Sequence, residues 1–125
     1  MTSAPTGRTR LAAVIGAPVR HSLSPVLHNA AFAALGLDWV YVALEVEAGR
    51  GAAALDGMRA LGLGGLSVTM PHKTDVADAC DELSADAAAL RSVNCVTPMG
   101  DGRLRGDSTD GDGFVRSLQI GRAHV

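Results

Sequence analysis

Apolar residues in this 125-residue chain fall into short runs separated by stretches with helical spacing. Residues 11–15 are an unbroken apolar run, which reads as a buried strand ended by Gly16. Ser24-Pro25 then opens a helix, since serine is a good N-cap and proline suits the first helical position. Val26, Ala30, Ala33 and Ala34 keep the helical spacing, and Gly36 fits its stop. Residues 39–44 read as a second strand, 52–61 as a second helix closed by Gly62, and 65–69 as a third strand stopped by Pro71. Helices follow over Lys73–Ala79 and Ala85–Leu90, the second capped by Ser84. Residues 92–98 and 103–107 read as a hairpin around Asp101-Gly102, and 113–118 begin another helix. The alternation predicts an α/β fold: three α/β/α layers, a mostly parallel sheet covered on both faces, and an antiparallel hairpin near the end.

Composition narrows the class. The length suits one domain with a sizeable core. Eleven basic and thirteen acidic residues leave no basic stripe, so a nucleic-acid partner has no electrostatic footprint here. No run approaches the roughly 18 apolar residues of a membrane span, and residues 11–15 fall short of the roughly 7–15 of a signal-peptide core. Cys80 and Cys95 form no C-x-x-C, which reads as two reduced thiols in a cytoplasmic protein. Residues 1–10 read as a disordered arm and 11–112 as the domain. Gly121 breaks the last helix, and residues 119–125 read as a non-native tail in which His124 carries no meaning.

Candidate chemistry lies beyond the carboxyl ends of the strands, where parallel sheets hold ligands. Ser22 and Ser24 stand at the start of a helix whose free N–H groups favour a carboxylate or phosphate; they also fit a plain loop and N-cap. Thr69 and Lys73 flank Pro71. Lys73 is the only lysine beside ten arginines, which marks it for a task that needs a transferable proton. His72 is a rival base, though a lone histidine at a helix start is more often structural. The Asn94 amide can hold a hydroxyl or satisfy backbone, and Cys95 reads as packing. Asp107, Asp110 and Asp112 alternate with small residues, but the EF-hand order fails because the twelfth positions are Leu118 and Gly121, so no metal is expected. A carboxylate there facing Lys73 would make an acid/base pair. Gly62, Gly64 and Gly65 precede a strand rather than follow one, so no dinucleotide fingerprint is read.

Taken together, Ile15-Gly16-Ala17-Pro18, Ser22-Leu23-Ser24-Pro25, Ser67-Val68-Thr69-Met70-Pro71-His72-Lys73, Val93-Asn94 and Gly106-Asp107-Ser108-Thr109-Asp110-Gly111 resemble the N-terminal substrate-binding domain of the shikimate dehydrogenase family over residues 11–118. The resemblance implies that Ser22 and Ser24 bind the substrate carboxylate and that Thr69, Asn94 and Asp110 hold ring hydroxyls. It makes Lys73 and Asp110 the catalytic pair in an NADP-dependent reduction of 3-dehydroshikimate to shikimate, a step towards chorismate and the aromatic amino acids. Ser67 and Ser108 depart from asparagines common in relatives. The family continues into a nicotinamide-binding Rossmann domain, which this sequence is expected to lack; 113–118 would begin the connecting helix, and NADP would be held mainly by that other domain. The substrate is the expected partner, with homodimerisation left open. A quinate or dual-specificity dehydrogenase, and a non-catalytic binder of a polyhydroxy carboxylate, are the alternatives.

Overall fold

The computed structural model describes residues 4–109. The expected helix at 113–118, the tail at 119–125 and the candidate Asp110 lie outside the described residues. Ten elements follow in order: β1 (Arg10–Gly16), α1 (Ser24–Leu35), β2 (Trp39–Glu45), α2 (Gly51–Leu61), β3 (Gly65–Val68), α3 (Lys73–Ala79), β4 (Glu82–Leu83), α4 (Ala85–Leu90), β5 (Cys95–Pro98) and β6 (Leu104–Asp107). They build one six-stranded sheet in the order β2-β1-β3-β5-β6-β4. β1 pairs in parallel with β2 and β3, and β4 with β6, while β5 runs antiparallel to both its neighbours.

The apolar run of β1 is continuous because both of its faces are covered. Ala13 and Ile15 point to one side, into a core with Leu55, Met58, Leu66, Val68, Val76, Ala87, Val93, Val96 and Leu104. That core lies between the sheet and α2, α3 and α4. Ala12 and Val14 point to the other side and meet Val19, Tyr41 and Phe32 beneath α1. The result is the expected three-layer α/β/α sandwich.

Local chemistry explains most element ends. Gly36 and Gly62 close α1 and α2 in the left-handed region, at φ 68° and 67°, which an L side chain adopts at a cost. The Ser84 hydroxyl accepts from the Ala87 N–H at 3.1 Å and caps α4. Expectation and structure part at α1. Its N-cap is Leu23, with no side-chain bond, and Ser24 is already helical. The Ser22 hydroxyl accepts from the Ser24 N–H at 3.1 Å instead. The two-residue β4 carries no readable period. At the other end, Arg10 already pairs with Trp39, and Thr9 donates to Asp38 at 2.8 Å, so β1 begins within the stretch assigned to the arm.

Candidate functional site

Strand direction decides which residues share an edge. The carboxyl ends of β1, β3 and β6 lie together, and antiparallel β5 brings its beginning to the same edge. Asn94 therefore joins the residues that follow β1, β3 and β6 although it precedes its own strand. Backbone bonds tie this rim together. Thr69 N–H donates to Ile15 O at 3.0 Å, Ala17 N–H to Met70 O at 3.1 Å, Val68 N–H to Asn94 O at 2.9 Å, and Val93 N–H to Lys73 O at 3.0 Å. The first two join the β1–α1 loop to the β3–α3 loop, and both loops carry a cis X–Pro bond, Ala17–Pro18 and Met70–Pro71.

Close approach at this seam needs Gly16. A Cβ there would collide with the Thr69 methyl and press on Met70 O at 3.3 Å. Thr69 is thus held against the end of β1, half-buried on the α1 side of the sheet. Lys73 follows as the first residue of α3. The Asn94 amide is fixed in both senses by Thr109: its nitrogen donates to the hydroxyl at 2.8 Å and its oxygen accepts the N–H at 3.1 Å. Thr109 stands within the Gly106–Gly111 motif, but its pairing with Asn94 is not legible there because the partner lies fifteen residues away.

Ser22 and Ser24 sit at the α1 end of the rim. Because Ser22 Oγ already accepts a backbone N–H, its own proton is directed elsewhere, a geometry suited to an anion. The Tyr41 phenol donates to Ser67 at 2.7 Å. Burial raises the Tyr41 pKa above its ordinary value, against the opposing effect of the Ser67 bond. Tyr41 is a site neighbour that the sequence pattern does not expose, since an aromatic in a strand reads as core.

His72 is not a base here. It is fully buried, with Nε2 at 2.6 Å from Val46 O, so that nitrogen carries the hydrogen and the ring holds the loop after β2. Val46 N–H donates to Gly16 O at 3.1 Å, which ties the same loop to β1. Both cysteines are free. Burial pushes the Cys80 thiol up to about 11, and burial followed by the Asp107 charge raises Cys95, so neither is an activated nucleophile. Among the described residues no cluster of His, Cys, Asp or Glu could hold a metal ion, and no helix is long and apolar enough to cross a membrane.

The structure thus gathers Ser22, Ser24, Thr69, Lys73 and Asn94 along one rim. A separate cleft of about 540 Å³, lined by Thr6, Asn29, Phe32, Leu37, Asp38 and Trp39 among others, includes none of them.

Comparison with known proteins agrees in sequence and in fold. The pattern of the shikimate dehydrogenase substrate binding domain matches residues 14–96. The shikimate dehydrogenase (NADP(+)) of Streptococcus equi subsp. zooepidemicus is 53% identical over 114 residues, covering 90% of this chain and 39% of the relative. The chain thus spans about two fifths of the length of the curated relatives it matches. The crystal structure of shikimate 5-dehydrogenase from Listeria monocytogenes, in complex with shikimate and NAD, superposes with a TM-score of 0.84 at 45% identity, covering 97% of this chain and 42% of that one. A 5-ketofructose reductase from Gluconobacter superposes at 0.81 with 31% identity, covering 92% and 41%.

Proposed function

This chain belongs to the shikimate dehydrogenase substrate-binding domain family, and from that premise we propose that it is the substrate-binding and catalytic part of an NADP-dependent shikimate dehydrogenase. The supporting observation is the common rim: two serines at a helix start, a threonine, an asparagine and the chain's only lysine stand on loops hydrogen-bonded to one another. In this reading Ser22 and Ser24 take the carboxylate of shikimate, and Thr69 and Asn94 orient ring hydroxyls. Lys73 stabilises the oxygen that is alkoxide-like in the transition state and exchanges the proton. Asp110, outside the described residues, is its proposed partner. Lysine suits this work because an ammonium releases a proton near neutrality more readily than a guanidinium.

NADP supplies the hydride exchange. The described residues do not fit its pyrophosphate. The β1–α1 and β3–α3 connections hold no glycine between the elements. The β2–α2 turn has Gly49 and Gly51, but Gly51 is packed against α3, where a Cβ would lie 3.0 Å from that of Asp75. Cytoplasmic location and a homodimer belong to the same proposal.

The test is steady-state kinetics on the full gene product that carries this chain, with shikimate, quinate and 5-ketofructose as substrates. Shikimate with NADP is expected to give the highest kcat/KM. Lys73→Ala is expected to lower kcat by several orders of magnitude with a smaller change in KM, as when a transition-state interaction is removed. Preference for another substrate rejects the assignment; a Lys73→Ala effect on KM alone makes the lysine only a clamp.

A further inference from the structure

Tyr41 is held on every side. Asn29 on α1 reads its backbone like a neighbouring strand, accepting from its N–H at 2.8 Å and donating to its O at 2.9 Å. His28 stacks on the ring at 4.1 Å between centroids and 8° between planes. The partner across the sheet is Ala12, small enough to let the phenol extend over β1 towards β3. There it donates to Ser67, which stands two residues before Thr69 in the same strand direction and is half-buried.

A phenol has one proton, and Tyr41 gives it to Ser67. Ser67 cannot return a proton along that bond, so its own O–H is aimed elsewhere. The two hydroxyls form a directed pair, Tyr41 to Ser67, whose last proton leaves from Ser67. A part-buried hydrogen bond of this kind fixes donor direction more firmly than a lone serine does.

We infer that Tyr41 is a positioning residue for substrate recognition, orienting the Ser67 hydroxyl as a donor to the carboxylate end of the ligand bound beside Ser22 and Ser24. The inference rests on the shikimate dehydrogenase reading and deepens it. It also gives the serine at 67 a role of its own, because its short side chain lets the phenol reach the oxygen.

The test is calorimetric titration of the full gene product that carries this chain with shikimate and with its methyl ester, in which the carboxylate is neutralised. Tyr41→Phe removes one oxygen and leaves the ring stacked on His28. It is expected to weaken shikimate about fivefold to tenfold, the usual net worth of one neutral hydrogen bond, and to change the ester less than about twofold. Ser67→Ala should reproduce the loss, and the double variant should add nothing to it. Unchanged shikimate affinity in Tyr41→Phe, or equal weakening of both ligands, overturns the inference while leaving the wider reading intact. A wild-type full-length protein that binds neither ligand overturns both. If Tyr41→Phe does not fold, Ser67→Ala decides the matter by the same contrast between acid and ester.

Discussion

The seam between the two rim loops is narrow enough that a single methyl group should open it. Gly16→Ala places a Cβ against the Thr69 methyl, 3.3 Å from Met70 O and 3.4 Å from Val19 Cβ. Backbone lies on one side and a buried valine on another, so Thr69 is the group with freedom to yield. It is β-branched, and rotation about χ1 exchanges the places of its methyl and its hydroxyl. Relief of the clash therefore re-aims the oxygen proposed to hold a substrate hydroxyl. Overpacking of this kind costs about 1–3 kcal/mol. The matched control is Gly57→Ala within α2, where an added Cβ meets nothing within 4 Å. There alanine removes the entropic penalty of helical glycine and should stabilise by about 1 kcal/mol, or about 4 °C in Tm. Thermal unfolding and shikimate titration of both variants check the reasoning. Gly16→Ala should lower Tm and weaken shikimate about tenfold, while Gly57→Ala should raise Tm and leave binding alone. Gly16→Ala with wild-type stability and affinity would show that the loops are not held against each other as described.

Ser22→Ala should weaken shikimate by about tenfold, because a charge-assisted donor to the carboxylate is lost; isothermal calorimetry reads this directly. Ser84→Ala removes the cap bond to Ala87 and should cost about 1 kcal/mol in urea unfolding, with an unchanged m-value. The Cys80 thiol ionises at about 11 in the fold against an ordinary value of 9.0, so the unfolded chain gives up that proton first. Stability linked to Cys80 is full below pH 9 and declines between 9 and 11. Tm should fall across that window, and less steeply in Cys80→Ala.

Much of the fold is legible in short-range pattern because caps and apolar runs are local. Helices α3 and α4 have the expected bounds, and Gly36, Gly62 and Ser84 end or begin helices as their chemistry requires. Strand direction is not local. β5 is read correctly as one arm of a hairpin, yet only its antiparallel pairing with β3 explains why Asn94, ahead of the strand, reaches the rim. The N-cap expected at Ser24 falls on Leu23, and the Ser22 hydroxyl accepts the Ser24 N–H from outside the helix. Proline at the second helical position lets the helix begin one residue earlier than the serine pattern implies. Tyr41 was illegible for a different reason. Its ring sits in the core and its hydroxyl acts two strands away, a division that no spacing rule encodes. His72 presented the reverse case, a polar residue within a site motif whose ring is buried against the Val46 carbonyl.

A crystal of the protein soaked with shikimate tests the account most directly. The account requires the ligand on the rim, its carboxylate within hydrogen-bond distance of Ser22 and Ser67 and its ring hydroxyls facing Thr69, Lys73 and Asn94. Shikimate found instead between Phe32 and Trp39, or bound with its carboxylate turned away from the start of α1, would contradict it.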